Sequence, residues 1–257
     1  MVPCPVNGRR LSQLAIRRVV NIFNRNPWTS YRLELTPRTG QYNQDGLRTS
    51  HNHSFLEAPD FQDAYARAVK AAGWDYEIHW RVHVILWAAI TAQPLPGAFV
   101  ECGTGRGFMA SAICQGLAWT DRPFYLFDTF QPELVTPDSA TRHEGHSPVY
   151  ARCPEEPQTN FREWPGVKLV VGTIPQSLTD VNIASVAFLH VDLNHPLPEE
   201  GVIRHFWPKL CPGAIVVFDD YAYEGYEASH VSADRVAADL GFLIVSLPTG
   251  QGLAIKR

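Results

Sequence analysis

The chain has 257 residues, of which 45% are hydrophobic, 11% aromatic and 19% charged; this composition excludes an intrinsically disordered protein and supports one large buried core. The net charge of −4 argues against a nucleic-acid-binding protein, and the apolar runs are too short for a transmembrane helix. We expect a cytoplasmic protein without a signal peptide, because arginines interrupt the first apolar segment and the five cysteines show neither an even number nor metal-ligand spacing.

The N-terminal part of the chain is basic. Residues 1–50 contain eight of the 22 basic residues and only two of the 26 acidic ones. Apolar residues flanked by arginines over 11–23 predict either an amphipathic helix for a partner or an anionic surface, or an arm packed on the domain, which we favour. Residues 26–60 are rich in Pro, Asn, Ser, Gly and His and predict a loop. We therefore expect 1–59 to form a basic arm and a loop that covers the ligand site.

The rest of the chain, 60–257, alternates helical and apolar segments. Helical spacing predicts two lead-in helices over 60–72 and 76–92, within a lead-in of 60–96. Further helices are predicted over 107–117, 174–178, 199–210 and 227–240. Apolar runs predict strands over 97–102, 123–127, 167–171, 186–191, 214–218, 242–247 and 253–255. This alternation predicts an α/β, Rossmann-like doubly wound sheet of seven mostly parallel strands. A short Gly-rich turn before the last strand makes one strand antiparallel.

The end of the first predicted strand carries a glycine-rich loop, Glu101-Cys102-Gly103-Thr104-Gly105-Arg106-Gly107. Glycines allow a tight turn and close approach of a ligand, and the following helix N-terminus offers free N–H groups. Asp128 ends the second strand, 21 residues after Gly107. An acidic residue there accepts hydrogen bonds from ribose hydroxyls, so a nucleoside-like ligand is predicted.

Three carboxylates follow two later strands. Asp192 comes after the run 186–191, and Asp219 and Asp220 come after 214–218. If these strands are neighbours, the three carboxylates repel one another unless a cation binds between them. Oxygen ligands favour Mg²⁺, with Ca²⁺ or Mn²⁺ as alternatives. The competing interpretation is that one carboxylate caps a loop and another is solvated.

The glycine spacing distinguishes two ligand classes. A dinucleotide site uses G-x-G-x-x-G, whereas Phe108 occupies the position of the third glycine here. The loop instead resembles the first motif of class I S-adenosylmethionine-dependent methyltransferases. From Gly97 onward the chain is similar to the macrocin-type (mycinamicin- and novobiocin-type) sugar O-methyltransferases, through Phe127-Asp128-Thr129-Phe130, Gly172-Thr173-Ile174-Pro175 and Phe218-Asp219-Asp220-Tyr221 among other segments.

The resemblance implies methyl transfer from S-adenosylmethionine to a hydroxyl of a sugar or polyhydroxylated metabolite, on a small molecule or a glycan, in an enzyme of a family whose members often form homo-oligomers. It implies Mg²⁺, or another divalent cation, bound by Asp192, Asp219 and Asp220. The residues that it implies for the cofactor are Glu101, Cys102, Gly103, Thr104, Gly105, Gly107, Asp128, Thr129, Phe130, Gly172, Thr173 and Ile174.

The general base is left open by the sequence. The family's Asp-Leu-Tyr is Asp192-Leu193-Asn194 here, and an amide cannot take up a proton at neutral pH. His195 is the first candidate for the base, whereas His190 lies inside a predicted strand and is expected to be a buried structural residue. Arg81 is expected either to reach the methionine carboxylate or to lie at the surface or core rim.

The long connection 131–153 predicts a lid, which together with 28–60 would cover the cofactor and the acceptor. Two other function classes compete with methyl transfer. A nicotinamide-dependent oxidoreductase is disfavoured by the glycine spacing, and a non-catalytic nucleoside- or metal-binding module is left open by Asn194.

Overall fold

The structure is a computed structural model that describes residues 41–130 and 155–257. Residues from Tyr42 to Arg257 belong to one compact unit. The predicted basic helix at 11–23 and the predicted lid at 131–153 lie outside the described residues. Within the described part, no helix is long and apolar enough to cross a membrane.

A short antiparallel hairpin precedes the main domain. Its strands are β1 (Tyr42–Gln44) and β2 (Leu47–Thr49), joined by Asp45-Gly46. Both turn residues have positive φ, 50° and 70°, as a two-residue hairpin turn requires. The prediction of a continuous loop over 26–60 is therefore wrong here, and the Asp-Gly pair was the signal that identifies the turn. A 3₁₀ turn, Ser54–Glu57, follows.

The main sheet has seven strands in one layer. In chain order they are β3 (Ala98–Cys102), β4 (Phe124–Asp128), β5 (Val167–Val171), β6 (Val186–Val191), β7 (Leu210–Phe218), β8 (Val245–Ser246) and β9 (Gly252–Ile255). Their order across the sheet is β5-β4-β3-β6-β7-β9-β8. Only β9 runs antiparallel to its neighbours in this sheet, which confirms the predicted fold class.

Helices connect and cover the strands. They are α1 (Pro59–Ala72), α2 (His79–Ala92), α3 (Phe108–Gly116), α4 (Glu155–Asn160), α5 (Pro196–Phe206) and α6 (Glu227–Leu240). Helix α1 begins at a proline, whose missing N–H costs nothing at that position, and ends at Gly73 in the left-handed conformation.

Three predicted element bounds differ from the structure. Helix α2 starts at His79 instead of residue 76, because Glu77 has a φ of 56° and cannot belong to a right-handed helix. The helix predicted over 174–178 is one 3₁₀ turn, Gln176–Thr179. The strand predicted over 242–247 is reduced to β8, since Leu243 is exposed and this apolar run does not belong to the core.

Aromatic rings fill the centre of the core under the sheet. Phe99 on β3 and Phe188 on β6 are fully buried, and their ring centroids lie 5.0 Å apart. Phe124 and Trp119 pack on the other side of Phe99. These rings fix the spacing of the central strands, whose carboxyl ends form the site described below.

We expect Phe188→Ala to lower the free energy of unfolding by about 3–5 kcal/mol, because it leaves a cavity between two central strands. Phe188→Leu, which retains most of the volume, is the matched control and should cost clearly less. Urea denaturation followed by circular dichroism measures both. Equal stability of the Ala and Leu variants would show that this ring does not support the core.

Candidate ligand and cation site

The backbone ladder of the sheet continues one residue past the strands and places the site residues. Each of four residues donates its N–H to a carbonyl on the neighbouring strand. The bonds are Gly172 to Asp128 (3.0 Å), Gly103 to Phe127 (2.8 Å), Asp192 to Cys102 (2.8 Å) and Asp219 to Val191 (2.9 Å). The predicted site residues are therefore fixed side by side at one edge of the sheet, as open α/β sheets arrange their ligand sites.

A cavity of about 600 Å³ opens at this edge. Its volume is in the range of small-molecule sites. Of the residues predicted for ligand, metal and proton transfer, those that line it are Glu101, Gly103, Thr104, Gly105, Asp128, Thr129, Gly172, Thr173, Ile174, Asp192, His195, Asp219 and Asp220. Cys102, Gly107 and Phe130 lie beside the cavity without lining it. Burial raises the pKa of the Cys102 thiol well above its usual value, which excludes a reactive cysteine.

The glycine-rich loop is packed directly against the end of β6. Gly103 has a φ of 94°, and a Cβ added there would lie 1.6 Å from the carbonyl oxygen of Asp192. Only glycine fits this contact. Gly107, with a φ of 88°, occupies the N-cap position of α3. The loop thus presents its backbone to the cavity at a fixed distance from the first of the three aspartates.

Asp128 holds the loop from the neighbouring strand. One carboxylate oxygen accepts the N–H of Gly105 at 2.7 Å, and the other accepts the N–H of Phe130 at 2.8 Å. Burial raises the pKa of Asp128, although these backbone donors counteract the shift. A carboxylate oxygen can accept more than one hydrogen bond, so Asp128 retains capacity for hydroxyl groups of a ligand.

Glu101 and His190 form a buried pair at the floor of the cavity. Glu101 is 1% exposed, and its Oε2 lies 3.1 Å from Nδ1 of His190. Burial disfavours a charged imidazole, but Asp219 and Glu101 outweigh this effect and raise the pKa of His190 to about 10. Nε2 of His190 lies 3.7 Å from Asp219 and has no hydrogen-bond partner. His190 is buried as expected, and it is the positive charge between two carboxylates.

Asp192, Asp219 and Asp220 meet as predicted. Each offers a carboxylate oxygen within 4.8 Å of the others. Burial and the charges of Asp219 and Asp220 raise the pKa of Asp192 well above its usual value, and burial with Asp219 raises the pKa of Asp220 to about 6. This unrelieved repulsion and an all-oxygen donor set fit a hard divalent cation such as Mg²⁺.

Arg81 lies beside this cluster, 5% exposed. Its NH1 donates to Asp219 Oδ2 at 2.7 Å and to Asp220 Oδ1 at 3.1 Å, and its Nε donates to Asp45 Oδ2 at 2.7 Å. The arginine is thus neither at the surface nor free to reach a ligand carboxylate without giving up these bonds. Asp45, on the hairpin turn, lines the cavity and was missed by sequence analysis.

His195 lies at the N-cap of α5, on the opposite wall from the glycine loop. Its Nδ1 accepts the N–H of Leu197 at 3.3 Å, so in the resting neutral ring Nε2 carries the proton. Leu197, Tyr223 and Tyr226 also line this wall. This end of the cavity combines apolar surface with the carboxylates of the acidic cluster.

Glu199 is a further acidic group that the sequence did not indicate, because it falls within an ordinary helical pattern. It lies in the first turn of α5, behind Asp219 and Asp220. Burial raises the pKa of Glu199 to about 7, aided by the charge of Asp220 and opposed by a hydrogen bond from Ser229.

We expect Glu199→Gln to become more favourable as pH rises. The unfolded carboxyl ionises near its usual pKa of 4.5 and the folded one near 7, so wild type loses stability between these values and bears the full cost above pH 7. The variant lacks this cost, and its stability relative to wild type should improve by about 2 kcal/mol from pH 5 to pH 8.

Denaturant unfolding at both pH values, with a chelator present, measures this difference. Glu200→Gln is the matched control: Glu200 is the next residue in α5, and Arg204 lowers its pKa. It should show no such improvement. A Glu199→Gln variant with the same pH dependence as wild type would contradict the assignment of a raised pKa.

Comparison with known proteins places this geometry in a family. Residues 100–221 match the family model described as "Methyltransferase domain". The chain is 25% identical over 148 residues to 8-demethyl-8-(2,3-dimethoxy-alpha-L-rhamnosyl)-tetracenomycin-C 4'-O-methyltransferase of Streptomyces olivaceus, covering 52% of this chain and 57% of that protein. It is 26% identical over 157 residues to mycinamicin III 3''-O-methyltransferase of Micromonospora griseorubida, covering 55% and 62%. The matches thus span about three fifths of the curated relatives' own lengths.

A solved structure shows the same fold. The O-methyltransferase NovP superposes with a TM-score of 0.62 at 19% identity, covering 80% of this chain and 99% of that one. Together with the match to the family model, this confirms the resemblance to methyltransferases and the Rossmann-like fold that the sequence predicted.

Proposed function

We propose that this chain, which carries a methyltransferase domain over residues 100–221, transfers the methyl group of S-adenosylmethionine to a hydroxyl of a sugar or another polyhydroxylated small molecule. The observation that carries the proposal is the convergence, in one cavity, of the glycine loop, Asp128 and three aspartates suited to a cation. The two curated relatives, whose names describe O-methylation of glycosylated antibiotics, support the acceptor class.

The cofactor is proposed to lie along the ends of β3, β4 and β5. Asp128 accepts the ribose hydroxyls, and the segment Gly172–Ile174 lies next to the adenine. The backbone of Gly103–Gly105 contacts the methionine part, and Glu101 lies near its amino group. Supporting this order, Asp128 already holds Gly105 at 2.7 Å, so the loop is shaped before the ligand arrives.

The divalent cation is proposed to bind between Asp192, Asp219 and Asp220. When bound, it would favour the ionised form of a hydroxyl that it coordinates. The chain's own contribution is orientation: the three aspartates fix the acceptor beside the glycine loop, since Asp192 and Gly103 are in direct backbone contact. The apolar wall with Leu197 and Tyr226 excludes water from the acceptor side.

The reaction is a displacement at carbon. The acceptor oxygen forms a bond to the methyl carbon while the carbon–sulfur bond breaks, and the sulfur keeps the electron pair. The hydroxyl proton must pass to a base, for which His195 is our candidate. Its Nδ1 becomes available when the weak 3.3 Å bond to Leu197 opens. We also propose that 28–60 and 131–153 cover the reacting groups; Asp45 on the hairpin lines the cavity, which supports the first of these.

The deciding experiment incubates the protein with methyl-labelled S-adenosylmethionine, Mg²⁺ and a panel of glycosides with vicinal hydroxyls, and follows label transfer by mass spectrometry. Transfer should stop with a chelator and return with Mg²⁺. Asp128→Ala should weaken cofactor binding by about tenfold to a hundredfold in calorimetry, since it removes hydrogen bonds to a charged acceptor. No binding of the cofactor to wild type would overturn the proposal.

His195→Asn tests the base. Asparagine is a good N-cap, so this variant keeps the start of α5 while removing the titratable ring. We expect turnover to fall by about a hundredfold or more, with cofactor affinity unchanged. His195→Ala, which removes both the cap and the ring, is the companion variant. Full turnover in the Asn variant would eliminate His195 as the base.

A further inference from the structure

One nitrogen atom of Arg81 bridges two of the three aspartates. Its NH1 lies 2.7 Å from Asp219 Oδ2 and 3.1 Å from Asp220 Oδ1, and it also donates to the backbone carbonyl of Asp219 at 3.2 Å. A positive group therefore already lies against the carboxylates to which the proposed cation would bind. The inference that follows rests on that part of the proposed function.

The guanidinium is also held from its other side. Nε donates to Asp45 at 2.7 Å, and the group lies over the ring of Tyr223 with a 4.3 Å separation from the ring centroid. The hydroxyl of Tyr223 in turn donates to Asp45 at 3.2 Å. Asp45 is contributed by the hairpin turn, so a separate element of the fold draws the arginine away from Asp219 and Asp220.

The charges around the cluster differ in their partners. Asp219 is bonded by Arg81 and by Gln251, whose Nε2 donates to Oδ1 at 3.0 Å. Asp192 receives only a 3.4 Å contact from the amide of Asn194 among the printed side-chain bonds of the described residues. Arg81 thus compensates the two aspartates after β7 and leaves the one after β6 to other charges.

We propose that Arg81 is a resident counter-charge that competes with the divalent cation for Asp219 and Asp220, and that Asp45 weakens this competition by sharing the guanidinium. The arginine keeps the carboxylates together when no ion is bound. Its cost is that an entering ion is repelled by a positive group only a few ångströms away. The cation is therefore held weakly by the resting protein and exchanges readily.

The proposal predicts opposite signs for two neighbouring variants. Arg81→Gln removes the competing charge and should tighten Mn²⁺ binding by about tenfold or more, because a full charge this close to a divalent ion matters even at the dielectric constant of water. Asp45→Asn leaves the arginine entirely to Asp219 and Asp220 and removes a negative charge, so Mn²⁺ should bind more weakly. A purely structural role for the pair would instead weaken binding in both variants.

The measurement is calorimetric titration of the full chain with Mn²⁺ alone. Arg204→Gln is the matched control, because it makes the same charge change in the surface pairs with Glu200 and Asp239 and should leave Mn²⁺ affinity unchanged. Unchanged or weaker binding in Arg81→Gln overturns the inference. Absence of Mn²⁺ binding in wild type and in Arg81→Gln alike overturns the cation part of the proposed function instead.

Stability provides a second readout in case Arg81→Gln folds poorly. In that variant saturating Mn²⁺ should raise the melting temperature by more than it does in wild type, since the ion takes over the role of the missing charge. Arg81→Lys retains the charge without the planar fork and should bind Mn²⁺ within about threefold of wild type. An equal Mn²⁺ shift in wild type and Arg81→Gln, or tight binding by the Lys variant, would contradict the competition.

Discussion

The continued hydrogen-bond ladder at the carboxyl edge of the sheet is the constraint on which the site depends. Parallel strands stop at nearly the same level, and here the next residue of each still donates its N–H to the neighbouring strand. Gly103, Gly172, Asp192 and Asp219 are placed by backbone geometry before any side chain takes part. The functional groups can therefore stay in position although they carry like charges, because the force that separates them acts against the whole sheet.

Charge balance is the second theme of the structure. Carboxylates from the hairpin and from strands β3, β6 and β7 surround the same space, and two basic groups are buried among them, Arg81 and His190. Both are held between pairs of acids, so neither is free to neutralise Asp192. The arrangement stabilises the folded chain without satisfying the cluster completely, which is the electrostatic state expected of a site that receives a positively charged ligand.

Sequence alone predicted the sheet, the antiparallel strand and the meeting of Asp128, Asp192 and the Asp219-Asp220 pair. It could do so because each residue follows directly on a buried apolar run, and parallel topology brings such positions together. The contact of Asp45 with Arg81 could not be found in this way. It joins residues from a hairpin and a helix whose relative placement has no local pattern, and only the Asp-Gly turn marked the hairpin itself. Glu199 was missed for a related reason, since burial of one polar position in α5 depends on the packing of α6.

The contact between Gly103 and the carbonyl of Asp192 leaves no space for even one carbon atom. Two chemically distinct half-sites, one for an organic donor and one for an ion, thus share a wall that is a single backbone thick. Substitutions that remodel one half are transmitted to the other without an intermediate layer to absorb them. Divergence within such a fold is then expected to proceed mainly at the outer rim, where loops and helix α5 meet the acceptor, while this partition is inherited intact.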